Sequence, residues 1–158
     1  MFRPMRRFKQ QLEIEKCKEI LHTQWRGVLS LLGDNGYPYG VPMNFFYDET
    51  DNAIYFHCAK EGHKIDAIKN SDKCSFTVFD KGVKRPDHWS LDITSVIVFE
   101  KISVVNDNST AFEKVRKLAE KYFPDHREIE SEMTAHFKNA LCLKLSIEHI
   151  TGKQINES

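Results

Sequence analysis

The segment from Gly27 to Tyr47 constrains this chain more than any other. It joins a short apolar run, Gly27-Val28-Leu29-Ser30-Leu31-Leu32, to a Gly33-Asp34-Asn35-Gly36 turn and then to the aromatic stretch Tyr37-Pro38-Tyr39-Gly40-Val41-Pro42-Met43-Asn44-Phe45-Phe46-Tyr47. The Asn-Gly step supplies positive φ angles, so the two runs read as an antiparallel hairpin. Pro38 and Pro42 cannot donate to a ladder and therefore belong at an edge or a bulge. A sheet begun this way is built of antiparallel pairs, which disfavours a doubly wound parallel sheet.

Further strands follow the same period of two. Ala53–Ala59 places Ile54, Phe56 and Cys58 on one face, Cys74–Phe79 does so with Cys74, Phe76 and Val78, a long strand spans 92–105, and 141–150 alternates Leu141, Leu143, Leu145 and Ile147. Three- and four-residue spacing marks helices: Ile14, Cys17, Ile20 and Leu21 over 11–23, a short helix with Ile65, Ala67 and Ile68, and Phe112, Val115, Leu118, Ala119 and Tyr122 behind a Thr110-x-x-Glu113 capping box. A weaker helix carries Ile129, Met133 and Phe137, and 81–90 reads as loop. The expected architecture is α+β, a six-stranded antiparallel sheet closed or nearly closed into a barrel with flanking helices. It forms a single domain over 1–158, with a basic arm, Arg3, Arg6, Arg7 and Lys9, at 1–10.

Charge and cysteine usage narrow the function classes. Lys plus Arg number 23 and Asp plus Glu 23, which leaves no net basic field for a phosphate backbone and makes nucleic acid an unfavoured partner. Cys17, Cys58, Cys74 and Cys142 form no C-x-x-C pair, so no metal site is expected, and reduced thiols suit the cytoplasm. No apolar run approaches the roughly 20 residues of a membrane span, and Met1–Lys9 is not followed by an h-region, so no membrane partner is expected.

Two stretches carry candidate chemistry. In His57-Cys58-Ala59-Lys60-Glu61-Gly62-His63-Lys64 a strand hands over to a helix, whose unpaired N–H groups with His63 and Lys64 make a phosphate cradle, or simply a turn with a solvated charge. Along Gly36-Tyr37-Pro38-Tyr39-Gly40-Val41-Pro42-Met43-Asn44-Phe45, Pro42 without an N–H and Gly40 without a side chain leave backbone groups free for a flat heterocycle, or the prolines merely protect an edge strand.

Gly-Tyr-Pro-Tyr-x-Val-Pro-Met-Asn-Phe, Ile-Tyr-Phe-His-x-Ala-x-x-Gly-x-Lys-x-Asp-Ala-Ile, Cys-Ser-Phe and Thr-Ser-Val-Ile-Val-Phe, in that order over about residues 12–150, resemble the pyridoxamine 5'-phosphate oxidase-like flavin-binding superfamily, most nearly its 5-nitroimidazole resistance (Nim-type) branch. The resemblance implies a split barrel holding FMN, with FAD possible, at a homodimer interface. Val41 to Phe45 would run along the flavin ring, with the Pro42 and Met43 backbone and the Asn44 side chain at its polar edge. His57, Cys58 and Ala59 would lie near ring and ribityl chain, His63 and Lys64 at the phosphate, and Ser95 would reach the flavin from the other subunit. His63 stands where oxidase-type members carry Arg, and Glu100 where many relatives have Gly.

A flavin performs the electron transfer itself, so no triad or metal is required. His57 is the catalytic candidate, as proton donor to a small-molecule substrate such as a nitro compound, or else a histidine that packs on the flavin. Trp89 either caps the flavin or stands exposed at the dimer seam, and Cys58 is by default an inert thiol. The expected function is an FMN-binding oxidoreductase of the nitroreductase type. The alternatives are a flavin carrier or redox sensor without turnover, and a barrel binding single-stranded nucleic acid through Tyr37, Tyr39 and Phe45.

Overall fold

A computed structural model describes residues 1–156. Its elements are α1 (Ile14–Thr23), β1 (Arg26–Leu32), β2 (Pro38–Asn44), β3 (Phe46–Asp48), β4 (Ala53–Ala59), α2 (His63–Asn70), β5 (Lys73–Phe79), β6 (Val83–Lys84), β7 (Leu91–Val104), α3 (Asn108–Tyr122), α4 (His126–His136) and β8 (Ala140–Asn156). All pairings are antiparallel, in the order β2-β1-β5-β7-β8-β4-β3 with β6 against β7. The fold is the expected α+β split barrel.

The hairpin opens the sheet as anticipated, with Leu29 opposite Val41 and Leu32 opposite Pro38. Its turn is longer than a two-residue loop. Gly33 N–H donates to the Tyr37 carbonyl at 2.9 Å, while Asn35 (φ 55°) and Gly36 (φ 77°) take the left-handed conformations.

Two short strands are added to the six expected. The run 37–47 is broken at Phe45, because the Phe45 N–H donates to the Tyr122 hydroxyl at 2.9 Å and its carbonyl accepts from Lys121 Nζ at 3.2 Å, both on α3. Its distal part becomes β3. Val83 and Lys84 pair with Asp92 and Leu91 inside the expected loop. The last strand runs six residues past its apolar alternation because it follows β7 to Asp92, with a bulge at Phe99/Glu100.

The barrel interior holds Leu29, Leu31, Met43, Phe45, Ile54, Phe56, Phe76, Val78, Val96, Val98, Leu143 and Leu145, with Cys17, Ile20 and Leu21 of α1 and Ile65 and Ala67 of α2 closing it. The rings of Phe45 and Phe56 meet Phe76 edge-on at 5.0 and 5.1 Å. A second cluster lies on the other face of β4 and β8, where Ala53, Tyr55 and Cys142 pack against Ala111 and Val115 of α3 and Ile129 and Met133 of α4. No helix among the described residues is long and apolar enough to cross a membrane.

Candidate functional site

The barrel is open along one seam. β4 pairs with β3 only through Tyr55, so its outer edge from Phe56 to Ala59 is free, as is the outer edge of β2 from Pro38 to Asn44. Phe45 and β3 close one end of the gap. At the other end the first turn of α2 crosses to β2: Lys64 Nζ lies 3.4 Å from Met43 Sδ, and the His63 ring stacks on Tyr39 at 4.0 Å between centroids. Alternation turns Tyr39, Val41, Met43 and Phe45 inward and Pro38, Gly40, Pro42 and Asn44 outward.

Gly62 starts α2 at φ 121°, a conformation that glycine tolerates, and no side chain caps the helix there. The first N–H groups thus lack intrahelical partners beside Lys64. The half-buried Lys64 ammonium has a thioether as its acceptor, which is weak for a full charge. That arrangement fits an anion. Its field reaches the neighbouring strand: burial first and Lys64 second hold the His57 imidazole below its ordinary 6.5, while burial raises the Cys58 thiol against a smaller opposing effect of Lys64.

Met43, Cys58 and Lys64 are therefore brought together around the seam, with Val41 and the Pro42 backbone along one side and Ala59 at the strand end, while His57, one residue out of phase with Phe56 and Cys58, turns to the opposite face of β4. Five further expected residues are placed differently from the rest. His63 is engaged by Tyr39 and by Asp34, 3.6 Å from its Nε2, so its ring is tied to the β1–β2 turn. Asn44 faces the outside of the sheet, where its Oδ1 accepts from Arg26 Nε at 3.0 Å. Phe45 is wholly buried with both backbone groups taken by α3. Ser95 sits on β7 opposite Phe79 and Lys153, remote in the sheet order from β2 and β4, and Trp89 is 96% exposed on its loop.

A sizeable cavity lies outside the seam. About 600 Å³ in volume, it lies across β4 between α3 and α4, and His57 stands at its mouth, solvent-reachable but hemmed in by protein. Sequence reasoning missed this hollow and Arg26, and singled out Tyr39 only as a nucleic-acid contact. Tyr39 was legible from its alternation with Val41 and Met43; the hollow depends on how far two helices splay.

The family described as pyridoxamine 5'-phosphate oxidase matches residues 13–154. A solved structure of a candidate 5-nitroimidazole antibiotic resistance protein from Bacteroides thetaiotaomicron superposes with a TM-score of 0.79 at 19% identity, covering 92% of this chain and 87% of that one. A FAD-binding protein from Mesorhizobium loti gives 0.66 at 20% identity, covering 92% and 97%, and a FAD- and haem-binding protein from Mycobacterium smegmatis 0.72 at 19%, covering 94% and 74%. No curated protein matches the sequence.

Proposed function

The chain belongs to the pyridoxamine 5'-phosphate oxidase family, and from that premise we propose that it is a flavin-dependent oxidoreductase, holding FMN in the seam between β2 and β4 and reducing small heteroaromatic compounds such as nitroaromatics. The observation that carries the reading is Lys64, a half-buried ammonium with a thioether for a partner at the start of α2, where a phosphate would find a charge-assisted bond. The flavin-binding relatives of the same fold support it.

When bound, the flavin supplies the electron transfer. Lys64 and the first N–H groups of α2 hold the phosphate, and the free backbone of β2 beside Pro42 and Met43 meets the polar edge of the ring. His57 hands a proton to the substrate. The homodimer is formed through the outer face of β1, β5 and β7, where Leu32, Phe79, Ile97 and Phe99 are 61, 55, 38 and 40% exposed. Ser95 lies on that same face between Phe79 and Ile97 in register, so pairing two such faces would carry it towards the partner's seam.

The visible absorption spectrum of the purified protein, with the mass of any released chromophore, tests the reading. FMN released from a yellow protein, reduced by NAD(P)H and reoxidised over many turnovers by a nitroaromatic, is expected. A protein that stays colourless with added FMN removes the proposal, and bound flavin without turnover reduces it to a carrier or sensor.

A further inference from the structure

The seam accounts for one face of β4; the hollow on the other face has no part in holding a flavin. It is a built feature. Phe112 of α3 meets Phe137, just past the end of α4, edge-on at 5.1 Å, and the two helices are tied by Arg116 Nε to Glu130 Oε1 at 2.7 Å. Between those fixings the helices leave about 600 Å³ walled by apolar side chains such as Leu118, Ile129 and Met133. A cavity of ~150 Å³ suffices for benzene, so this one is several rings in size. Its volume lies within the ~300–1,000 Å³ of ligand pockets.

Charge selects among apolar ligands. Glu128 and Glu132 stand at the rim, Glu132 3.7 Å from His136, and no lysine or arginine is among the lining residues. At the mouth His57, with its pKa held down, offers a neutral ring nitrogen to a heteroatom. We propose that this cavity binds a polycyclic, apolar aromatic molecule, neutral or cationic and larger than a single nitro-substituted ring, presenting a heteroatom to His57. As the place of the reducible substrate this rests on the flavin reading above; as a binding site it rests on the cavity alone.

Methionine methyl groups labelled with carbon-13 in the full chain separate the two readings, because Met133 lines the cavity and Met43 touches Lys64. With FMN present, acridine and 9-aminoacridine are expected to shift the Met133 resonance. Pyridine binds at least tenfold more weakly, and 9-anthracenecarboxylate roughly threefold to tenfold more weakly than 9-aminoacridine, the size of effect expected of exposed rim charges. Ala119→Phe fills the cavity and abolishes the Met133 response. Glu128→Lys with Glu132→Lys, both at exposed positions, reverses the preference between the carboxylate and the cation, and carries the test if the filled variant does not fold.

A Met133 methyl unmoved by acridine, a response that survives Ala119→Phe in a folded protein, or equal binding of the carboxylate overturns the proposal. Should Met133 respond while Met43 ignores FMN, the cavity stands and the flavin reading falls. The converse result removes the cavity alone.

Discussion

At the scale of single residues, the largest departure from ordinary chemistry is Glu100. It is 2% exposed inside the barrel, neither carboxyl oxygen has a hydrogen-bond partner, and burial pushes its pKa well above the carboxyl range. The folded chain then keeps a proton that the unfolded chain releases above about pH 4.3. Stability therefore falls as pH rises from that value towards the folded pKa, by about 1.4 kcal/mol for each unit crossed. Glu100→Leu removes the dependence, so denaturant midpoints at pH 5 and pH 8 should diverge from the wild type at the higher pH; parallel behaviour would contradict this. His57 titrates in the opposite sense. Its protonated form is the proton donor and its pKa is depressed, so reduction of a nitroaromatic should be fastest below that pKa and decline as pH rises through it, at a point under 6.5. His57→Gln should flatten the profile, and a decline unchanged in the variant would assign the proton elsewhere. Lys64, His57 and the β2 run stand out as candidates in the sequence because they lie in contiguous motifs. That His63 and Asn44 are engaged by Asp34 and Arg26 was not, since both partners come from β1 or its turn.

At the scale of elements, local pattern located every long strand, and tertiary contact decided their ends. The Thr110-x-x-Glu113 box is not the start of α3: Asp107 is the cap, accepting from Thr110 N–H at 2.8 Å and from its hydroxyl at 2.6 Å, so the helix begins three residues earlier. Thr110 is a donor to the cap rather than the cap itself. Helix α3 is also fastened by charge. Lys114 Nζ lies 2.8 Å from Asp48 and 2.7 Å from Asp51, whose carboxylate also accepts from the Tyr55 hydroxyl at 2.7 Å. Burial opposes the ionised form of Asp48, but Lys114 outweighs it and holds the pKa below the usual value, as it does for Asp51. These carboxylates contribute stability above their unfolded pKa of about 3.9 that is lost as pH falls through the lower folded values. Lys114→Ala strands a buried carboxylate and should cost about 3–5 kcal/mol at pH 7, whereas Lys114→Met with Asp48→Leu should recover much of the loss. Equal losses in urea unfolding of the two variants would show that the charge is not what fastens the helix. Lys121 differs, because burial alone pulls it to about 8 while its ammonium points at the Gln24 and Phe45 carbonyls. That pair of contacts, with Tyr122, breaks the second strand at Phe45 and opens the seam.

At the scale of the whole molecule, the neutral charge balance and the exposed apolar side chains of Leu32, Phe79 and Ile97 on the outer sheet face support the proposed association with a second copy rather than with a polyanion. Sedimentation should give twice the 18.5 kDa chain mass, and Ile97→Lys should return it to one chain with the circular dichroism unchanged; a wild type that sediments as a monomer at tens of micromolar removes the dimer. The antiparallel barrel outline was legible from hairpin order and strand period, and its split form from the family resemblance. The seam and the cavity were not, because they are gaps, set by where neighbours stop rather than by any residue's own preference. Everything functional turns on whether the seam's cation holds a phosphate. Titration of flavin-free protein with FMN, followed by quenching of flavin fluorescence, is the direct measurement. One FMN per chain is expected, with affinity lowered in Lys64→Ala by about 1.5–3 kcal/mol, roughly tenfold to 150-fold; FMN that fails to bind, or binds equally well to the variant, contradicts the account.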